Sequence, residues 1–324
     1  MARMTLGGMH PHDHSGFQHE ALLYAGLDEF LSKTAPLVRS AVDEERCVMV
    51  ATTTEKLDAL HGAVGDAAAS VRFEDVTTLG RNPTRLTALW RGFASSLPPV
   101  SLSANSFAAV GIGEFVWPGR TPAELTEAQH QETLLDEALA AASLWLVCPY
   151  NVDALDDALV HEAARSHPVV RSGHTLSVNR ALEHSDLPSL LEQPLEPRPP
   201  DGATTVEFTD LTSVRETVRR HAAAAGFDRA RTEDAVTAVN ELATNTIQHT
   251  PGPGTVTVWR TDDTLRCEVA DGGHITDPLV GSYPPDDITT GGRGLWIVNH
   301  LCDLVQLRSS PQGTVVRIHL DDDR

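Results

Sequence analysis

The chain has 324 residues, more than one hydrophobic core usually organises, so its length predicts two domains. Its apolar fraction of 41%, with ordinary glycine and proline usage, is typical of a globular protein and excludes a disordered or fibrous one. Acidic residues outnumber basic ones by 45 to 25, which argues against direct nucleic-acid binding because phosphate contacts require clustered lysine and arginine.

The four cysteines are far apart and form no CxxC pair: Cys47, Cys148, Cys267 and Cys302. This spacing predicts buried, reduced thiols of a cytoplasmic protein rather than a disulfide framework or a zinc site. The N-terminus lacks the apolar segment of a signal peptide. The longest apolar stretch, residues 138–148, is shorter than the roughly 20 residues of a membrane-spanning helix. We therefore expect a cytoplasmic protein with no membrane anchor.

Residues 1–18 are expected to form a flexible tail, which contains His10, His12 and His14. These histidines are either incidental members of a disordered tail or ligands of a transition metal, which clustered imidazoles bind. His19 is different because it adjoins an apolar Leu-Leu-Tyr run, and it is a candidate for lining a ligand pocket.

Residues 19–190 are predicted to form the first domain, in which strand-like and helix-like runs alternate. Short apolar runs of strand length lie at residues 47–51, 71–76, 108–112 and 144–148. Helical patterns lie at residues 27–42, 54–64, 83–96 and 122–142. Apolar strands that alternate with helices predict an α/β domain with a mainly parallel sheet covered on both faces.

Three stretches of this half resemble the MEDS family of bacterial sensory domains. They are HEALLYAGLDEFL at residues 19–31, GRNP at residues 80–83 and GEFVWPGR at residues 113–120. The resemblance implies a RecA-like sheet and a small-molecule ligand, while the lack of a G-x-x-x-x-G-K-S/T loop argues against a second ATPase. Glu114, Trp117 and Arg120 follow an apolar strand, where they either contact that ligand or serve as capping and packing residues.

Residues 191–203 are predicted to be an exposed, semi-rigid linker. Four prolines fall between Glu192 and Gly202, and proline continues neither a helix nor a central strand. Such a linker does not transmit a helical twist, so we expect signals to pass between the domains by direct contact or through an oligomer.

The second domain, residues 204–321, has a different order of elements. A strand at residues 204–208 is followed by helices at residues 213–225 and 228–249, the second with Asp228 as its N-cap. Strands follow at residues 254–260, 264–271, 304–309 and 313–320, with a long loop and a helix before the third. Helices followed by a mostly antiparallel sheet predict an α+β sandwich.

Glu241, Asn245 and His249 lie four residues apart in the second of these helices and share one side of it. Taken alone, these three residues could simply form the polar side of an amphipathic helix. Glycine-rich segments further along the chain indicate instead that this polar side belongs to a binding site.

Asp271-Gly272-Gly273 ends a strand, GGRGL at residues 291–295 opens a helix, and Gly313-Thr314 enters the last strand. Glycines at a loop-to-helix junction let backbone N–H groups approach a phosphate, whose negative charge the helix N-terminus favours. One glycine turn before a helix is common. The three elements in this order and spacing indicate a nucleotide site.

In this order the motifs resemble those of the histidine-kinase-like (GHKL) ATPases, and most of all those of the bacterial anti-sigma-factor serine kinases. ELATNTIQH at residues 241–249 is similar to the N box, DGG at residues 271–273 to the G1 box, and GGRGLWIVNHLCD at residues 291–303 to the G2 box. The resemblance extends over residues 205–320 and implies an ATP-binding sandwich of the Bergerat type.

The resemblance also implies roles for individual residues. Asn245 would coordinate Mg²⁺ through its amide oxygen, which suits an ion that takes a few hard oxygen ligands beside phosphates and water. Glu241 would be the general base toward the attacking hydroxyl, and Asp271 would accept a hydrogen bond from the adenine amino group. The other implied nucleotide contacts are His249, Gly273, Gly292, Arg293, Gly294, Leu295 and Thr314.

One position departs from the family pattern. The G1 box usually has the form D-x-G-x-G, and Ile275 stands where the second glycine belongs. This substitution leaves open the path of the following loop and the nucleotide affinity, but it does not affect the expected contact of Asp271.

The segment that precedes the ATPase domain helps to distinguish a sensor histidine kinase from an anti-sigma-factor kinase. A sensor histidine kinase needs a phosphoacceptor histidine on a dimerising hairpin, and the one similar segment, residues 161–165, is followed by His167-Pro168 and the linker. The anti-sigma-factor kinases are therefore the better guide. Their resemblance implies a homodimer that binds a sigma factor and phosphorylates Ser or Thr of a STAS-type antagonist protein.

Two alternatives stay open. In one, the chain is a non-catalytic switch in which ATP only shapes a partner-binding surface; in the other, the N-terminal half is an enzyme acting on a small molecule. For communication between the domains, we expect the sensory domain to contact the helical layer of the ATPase domain, since the sheet should lie packed beneath those helices.

Overall fold

The computed structural model describes residues 16–97, 107–173, 175–178, 191–198, 201–283 and 293–322. These residues form two units, each with a β-sheet and a hydrophobic core of its own. The two-domain organisation and both fold classes that the sequence predicts are confirmed.

In its described residues, the first unit has seven strands: β1 (Gln18–Tyr24), β2 (Cys47–Thr52), β3 (Val71–Asp75), β4 (Ala109–Gly113), β5 (Leu144–Asn151), β6 (Val169–Ser172) and β7 (Thr175–Val178). Its helices are α1 (Gly26–Asp43), α2 (Thr54–Val64), α3 (Val76–Leu79), α4 (Pro83–Ser95), α5 (Pro122–Ala138) and α6 (Asp157–Ser166), with a 3-10 turn at Gly65–Ser70. The sheet order is β3-β2-β4-β5-β1-β6-β7, and every neighbouring pair is parallel except β6 and β7.

This first sheet is buried on both faces, as its apolar strands require. Phe30 lies in the core on one face and Trp90 in the core on the other, and both are fully buried. Gly111 and Gly113 of β4 make room for Trp90, since a Cβ atom on either would lie 2.5 or 2.8 Å from the indole ring. Trp90 can therefore pack directly on the backbone of β4.

Strand β1 was missing from the sequence-based prediction, although it lies inside the sheet between β5 and β6. Gln18, which the expected tail included, already pairs with Trp145. After Gln18 the strand continues with the polar residues His19 and Glu20, which are both buried, and Glu20 accepts a hydrogen bond from Arg171 of β6. Because these buried polar residues interrupt the apolar pattern, apolar runs alone do not predict this strand.

The second unit contains the strands β8 (Thr204–Phe208), β9 (Gly254–Thr261), β10 (Thr264–Asp271), β11 (Leu304–Ser310) and β12 (Gly313–Asp321). Its helices are α7 (Thr212–Ala224), α8 (Arg229–His249) and α9 (Arg293–Leu301). The sheet order is β11-β12-β10-β9-β8, and all neighbouring strands are antiparallel. The three helices pack on one face of this sheet, which makes the unit a two-layer α+β sandwich.

The two faces of the second sheet differ in character because side chains alternate along each strand. Cys267 and Val269 of β10 belong to the core beneath the helices. The opposite face carries buried polar side chains: Glu268, Gln306, Arg308, Arg317 and His319. Arg198 of the linker reaches this polar face, where its Nε lies 3.1 Å from Oε1 of Glu268. The sheet is therefore covered on its second face as well, by segments outside the ATPase domain.

All four cysteines lie in the described part of the chain, and all are free thiols; Cys148, Cys267 and Cys302 are buried. Three of the four thiols that the sequence predicts to be buried are buried, whereas Cys47 is partly exposed. Among the described helices, none is both long and apolar enough to span a membrane.

Candidate functional site

Helix α8 positions the polar side chains that the sequence singles out. It begins after Asp228, whose carboxylate accepts a hydrogen bond of 2.7 Å from the backbone N–H of Arg231, so the predicted N-cap is confirmed. Leu242 is buried beneath the helix, while Glu241 and Asn245 remain partly exposed. One helical turn separates the carboxylate from the amide, and both lie on the side that faces away from the core.

The N-terminus of α9 lies directly against these two side chains. A Cβ atom on Gly294 would be 3.2 Å from Oε2 of Glu241 and 3.1 Å from Nδ2 of Asn245. This is tighter than ordinary van der Waals contact, so a glycine is what lets the helix start so close to both groups. The structure thus brings the N box and the G2 box together, although about 50 residues separate them in the sequence.

Asp271 stands at the end of β10, and its carboxylate is held by two hydrogen bonds. Oδ2 accepts a bond of 2.6 Å from the hydroxyl of Thr246, and Oδ1 accepts one of 2.8 Å from the backbone N–H of Gly273. An ionised carboxylate can accept about four hydrogen bonds, so acceptor capacity remains for a ligand. The sequence analysis missed Thr246, which adjoins Asn245 but is buried on the sheet side of α8.

Two glycines allow the backbone to pass close to Asp271. A Cβ atom on Gly273 would lie 2.6 Å from Cγ2 of Thr250, and one on Gly313 would lie 2.5 Å from the carbonyl oxygen of Asp271. Gly313 also has a φ of 145°, a conformation that side chains disfavour. Next to it, Thr314 donates a hydrogen bond of 3.0 Å to the carbonyl oxygen of Gly273. Thr314 therefore fixes the loop that follows the G1 aspartate.

Ile275, which replaces the second glycine of the G1 pattern, is accommodated by the structure. Its backbone N–H donates a hydrogen bond of 2.7 Å to the hydroxyl of Ser309, which in turn lies 2.8 Å from the hydroxyl of Thr314. Its side chain packs against the core of the sandwich. The loop after Gly273 is thus held by core packing and by a side-chain hydroxyl of β11.

The remaining predicted nucleotide contacts lie in different environments. His249 is exposed as the last residue of α8, and Arg293 is exposed as the first residue of α9. Leu295 is buried and belongs to the hydrophobic core, so it anchors the start of α9. Gly292 lies outside the described residues.

The C-terminal end of α9 is bound by the first unit. Arg85 of α4 donates hydrogen bonds to three backbone carbonyls there: from Nε to Asn299 at 2.6 Å, and from Nη2 to His300 at 2.8 Å and to Cys302 at 2.6 Å. Asn82, in the GRNP stretch, donates to the carbonyl and to the side-chain oxygen of Asn299, both at 3.0 Å. The last carbonyls of a helix lack partners within it, and a cation there is favoured by the helix dipole. One helix therefore joins the first unit to the Glu241–Asn245 site.

A second contact between the units lies on the polar face of the second sheet. Glu127 of α5 accepts hydrogen bonds from Arg308 at 2.6 Å and from Gln306 at 3.3 Å. Burial by itself would raise the pKa of the Glu127 carboxyl, but His130 and Arg308 together hold that pKa below its ordinary value. The expected contact with the helical layer is present at α9. The units also meet on this face of the sheet, which is polar and accessible to α5 instead of being packed beneath the helices.

Glu114, Trp117 and Arg120 serve packing and orientation in the first unit. Glu114 forms a buried ion pair with Lys56, with Oε1 and Nζ 2.6 Å apart. Arg120 lies over the Trp117 ring, 3.5 Å from its centroid, and donates a hydrogen bond of 2.6 Å to the carbonyl of Gly80. These contacts hold the GRNP loop against the sheet and so fix the start of α4.

The site's residues fit a Mg²⁺–nucleotide complex by their chemistry. Asn245 offers an amide oxygen of the kind that Mg²⁺ accepts, and it lies beside Gly294 at the N-terminus of α9, the end of a helix that favours a phosphate. Asp271 offers a pre-oriented acceptor for an exocyclic amine. These donors and acceptors are arranged around one end of the sandwich, between α8, α9 and β10.

The fold and this site together define a histidine kinase-like ATPase domain preceded by a sensory domain. Residues 204–320 match the family model of the histidine kinase-like ATPase domain. Residues 18–168 match the model of the MEDS (methanogen/methylotroph, DcmR) sensory domain. Both resemblances seen in the sequence are thereby confirmed, and the chain is an ATP-binding protein with a MEDS domain.

Among solved structures, the chain is similar to the RsbU and RsbW domains of Rv1364c from Mycobacterium tuberculosis. The identity is 20%, the match covers 36% of this chain and 32% of that chain, and the TM-score is 0.28. The chain thus matches about a third of the length of the solved chain. Among curated proteins, no match was found.

Proposed function

We propose that the chain is a cytoplasmic serine/threonine protein kinase of the anti-sigma-factor type, controlled by its MEDS domain. The observation that carries the proposal is the closeness of Glu241 and Asn245 to Gly294. A carboxylate, an amide oxygen and a helix N-terminus that lie close together support phosphoryl transfer, which uses a base, a metal ligand and a phosphate site.

In this proposal each residue has a distinct task. Asn245 holds Mg²⁺, which supplies charge neutralisation when bound, and Asp271 selects adenine. Glu241 accepts the proton of a partner's Ser or Thr hydroxyl as its oxygen bonds to the γ-phosphorus and the bond to the leaving ADP oxygen breaks. The other proposed nucleotide contacts are His249, Gly273, Gly292, Arg293, Gly294, Leu295 and Thr314.

The proposed partners are a sigma factor and a STAS-type antagonist, with the ATPase domain forming a homodimer. The motifs that resemble the anti-sigma-factor kinases support these partners. The MEDS domain would bind a small molecule and pass its state to α9 through Asn82 and Arg85, whose contacts with that helix are described above. A ligand changes the activity only if it favours one arrangement of this contact over another.

The decisive experiment separates a kinase from a non-catalytic switch. Glu241→Ala should leave ATP affinity nearly unchanged, because the residue faces the attacking hydroxyl rather than the nucleotide. The rate of phosphate transfer from labelled ATP to STAS-type proteins of the source organism should fall by about 10²–10⁴-fold, the usual contribution of a general base.

Glu233→Ala is the matched control, since Glu233 is an exposed glutamate of the same helix that pairs only with the exposed Arg219 in the described structure. It should transfer phosphate at the wild-type rate. A Glu241→Ala protein with wild-type transfer, or a wild-type protein that transfers to no STAS-type partner while binding ATP, would favour the switch.

A further inference from the structure

Four polar side chains form a fully buried cluster in the MEDS domain: His19, Glu132, Cys148 and His167. His19 lies on β1, Cys148 on β5 and Glu132 on α5, while His167 lies in the turn between α6 and β6. In the parallel pair of β1 and β5, Ala21 is in register with Cys148, so His19 and Cys148 point to the same face of the sheet. The topology gathers residues that are far apart in the sequence.

The four side chains converge on one point. Each offers one ligand atom, and these atoms all lie within 4.8 Å of one another. Nε2 of His19 is 3.1 Å from Sγ of Cys148, and Nε2 of His167 is 3.7 Å from Oε1 of Glu132. Zinc–ligand bonds are about 2.0–2.3 Å long and so join ligand atoms no more than about 4.6 Å apart, which means that small side-chain shifts would let a single ion reach all four.

Two of the ring nitrogens lack an ordinary partner. Nδ1 of His19 and Nε2 of His167 are buried and accept or donate no hydrogen bond within the described part of the chain. A buried polar atom left unsatisfied is unfavourable, so native structures seldom keep one without a reason. For Nε2 of His167, a bound cation at the centre of the cluster supplies that reason.

Neighbouring groups orient the cluster as they do around metal ions. Nδ1 of His167 lies 2.8 Å from the carbonyl oxygen of Ala163, so the ring donates there and directs its Nε2 lone pair toward Glu132. The hydroxyl of Tyr150 donates to Oε2 of Glu132 and leaves Oε1 on the side of His167. Outer hydrogen bonds of this kind fix the tautomer and the direction of metal ligands.

We propose that His19, Glu132, Cys148 and His167 bind one Zn²⁺ ion. Imidazole, thiolate and carboxylate are the ligands that zinc takes, whereas Mg²⁺ and Ca²⁺ prefer all-oxygen sites. Four protein ligands complete a tetrahedral shell, which makes this a structural site rather than a catalytic one. His19 is then a metal ligand rather than a pocket-lining residue, and Cys148 is not the unliganded thiol that the sequence suggests.

The site would connect α5 to the sheet. Glu132 lies in the cluster, and Glu127, five residues earlier on the same helix, is ion-paired with Arg308 of the ATPase domain. Zinc would therefore fix the helix that contacts the ATPase domain. Because the four ligands come together only in the folded chain, zinc binding adds to the free energy of folding.

The test uses the full chain with His10, His12 and His14 replaced by alanine, so that the tail cannot hold metal. Elemental analysis should find about one zinc ion per chain. X-ray absorption at the zinc edge should show one sulfur neighbour among four ligands. Replacing zinc by Co²⁺ should produce a thiolate-to-cobalt absorption band that Cys148→Ser abolishes.

Two further variants make the outcome specific. Cys47→Ser, a partly exposed cysteine of the same domain, should keep zinc and the cobalt band. Tyr150→Phe removes only the hydrogen bond to Glu132 and should weaken zinc affinity by about 10–100-fold, as loss of an outer partner does. A folded wild-type chain that takes up no zinc, or zinc bound without a sulfur neighbour, overturns the proposal even if the Cys148 variant fails to fold.

Discussion

At the scale of single residues, the candidate adenine acceptor is oriented by the protein itself. Thr246 and the N–H of Gly273 each hold one oxygen of Asp271, so the carboxylate need not reorganise when a ligand arrives. Asn245, one turn from Glu241, lies beside Gly294 instead, where we propose that the phosphates bind. The two residues therefore act on different parts of the proposed ligand.

This separation predicts different losses on substitution. Asp271→Ala should weaken binding of ADP even without metal, by about 10–100-fold, since a hydrogen bond to a charged group contributes about 1.5–3 kcal/mol. Asn245→Ala should weaken only Mg²⁺-dependent binding. Calorimetry with and without Mg²⁺ measures both effects. Asn240→Ala, on the same helix, is the control, and equal losses for Asp271 and Asn245 under both conditions would contradict the assignment.

His319 makes the second domain sensitive to acid. Burial lowers its pKa to about 3, the charges of Arg266 and Arg317 add to this, and Glu127 opposes it. Below its ordinary pKa of 6.5, the unfolded chain binds a proton that the folded chain excludes, so stability falls as the pH falls toward 3. At about pH 5 the loss in unfolding free energy should be about 2 kcal/mol.

Urea unfolding of the full chain at about pH 7 and at about pH 5 measures the total loss, to which the lowered pKa values of the buried His19 and His167 also contribute. The His319 share is the difference between the wild type and a His319 variant. His319→Gln, which can keep a hydrogen bond to Gln306, should lose less stability over this interval than the wild type. His274→Gln, an exposed histidine of the same domain, should behave as the wild type. An unchanged pH dependence in His319→Gln would show that this histidine does not cause it.

At the scale of secondary-structure elements, α9 is the piece that both domains share. Its first turn contacts Glu241 and Asn245, and its last carbonyls accept hydrogen bonds from Arg85 and Asn82 of the MEDS domain. A helix of nine residues is about 14 Å long, at about 1.5 Å per residue, so the contact with the MEDS domain and the proposed phosphate site are close. Because a helix is a rigid element, we expect a change at one end to shift the other.

Arg85→Ala should therefore loosen α9. It removes three charged hydrogen bonds to backbone carbonyls, so amide exchange in residues 293–303 should speed up by on the order of 10-fold or more. Hydrogen–deuterium exchange read by mass spectrometry measures this. Arg39→Ala is the matched control, because Arg39 also donates to a carbonyl, that of Ala63, but within the MEDS domain. Equal exchange in both variants would argue against the contact.

At the scale of the whole molecule, the domains are joined by a proline-rich segment and, among the described residues, contact each other at several places. One contact lies at the end of α9, and another lies on the polar sheet face, where α5 and the linker both pack. A third is the ion pair between Arg81 of the MEDS domain and Asp321 of the last strand. Any partner that approaches these surfaces of the ATPase domain has to displace the MEDS domain.

The whole chain and its second half should therefore differ in partner binding. A fragment of residues 203–324 contains the complete N, G1 and G2 boxes, so it should bind Mg-ATP by itself. It should also bind a sigma-factor partner more tightly than the full chain does, because no MEDS domain competes. Titration of both proteins with the same partner tests this. Equal affinities, unaffected by Arg85→Ala, would remove the reason to regard the MEDS domain as a regulator.

The sequence alone determined the two domains, their fold classes and the nucleotide motifs. These features are local or periodic. Glu241 and Asn245 are four residues apart, and a helix places residues with this spacing on the same face. The glycines indicate where the backbone could approach a ligand closely. Alternating apolar runs likewise predicted most strands of both sheets. Strand β1 was not predicted because its N-terminal half contains the polar residues His19 and Glu20, which are buried against partners from other elements.

What only the tertiary structure decided is the set of contacts between distant segments. Thr246 against Asp271, Arg85 against the end of α9, and the gathering of His19, Glu132, Cys148 and His167 each join residues whose separation in the sequence carries no periodic signal. Such contacts depend on strand order and on how one unit packs on another. The physical reason is that a buried polar side chain needs a hydrogen-bond or ion-pair partner, and residues distant in the sequence can supply that partner once the chain is folded.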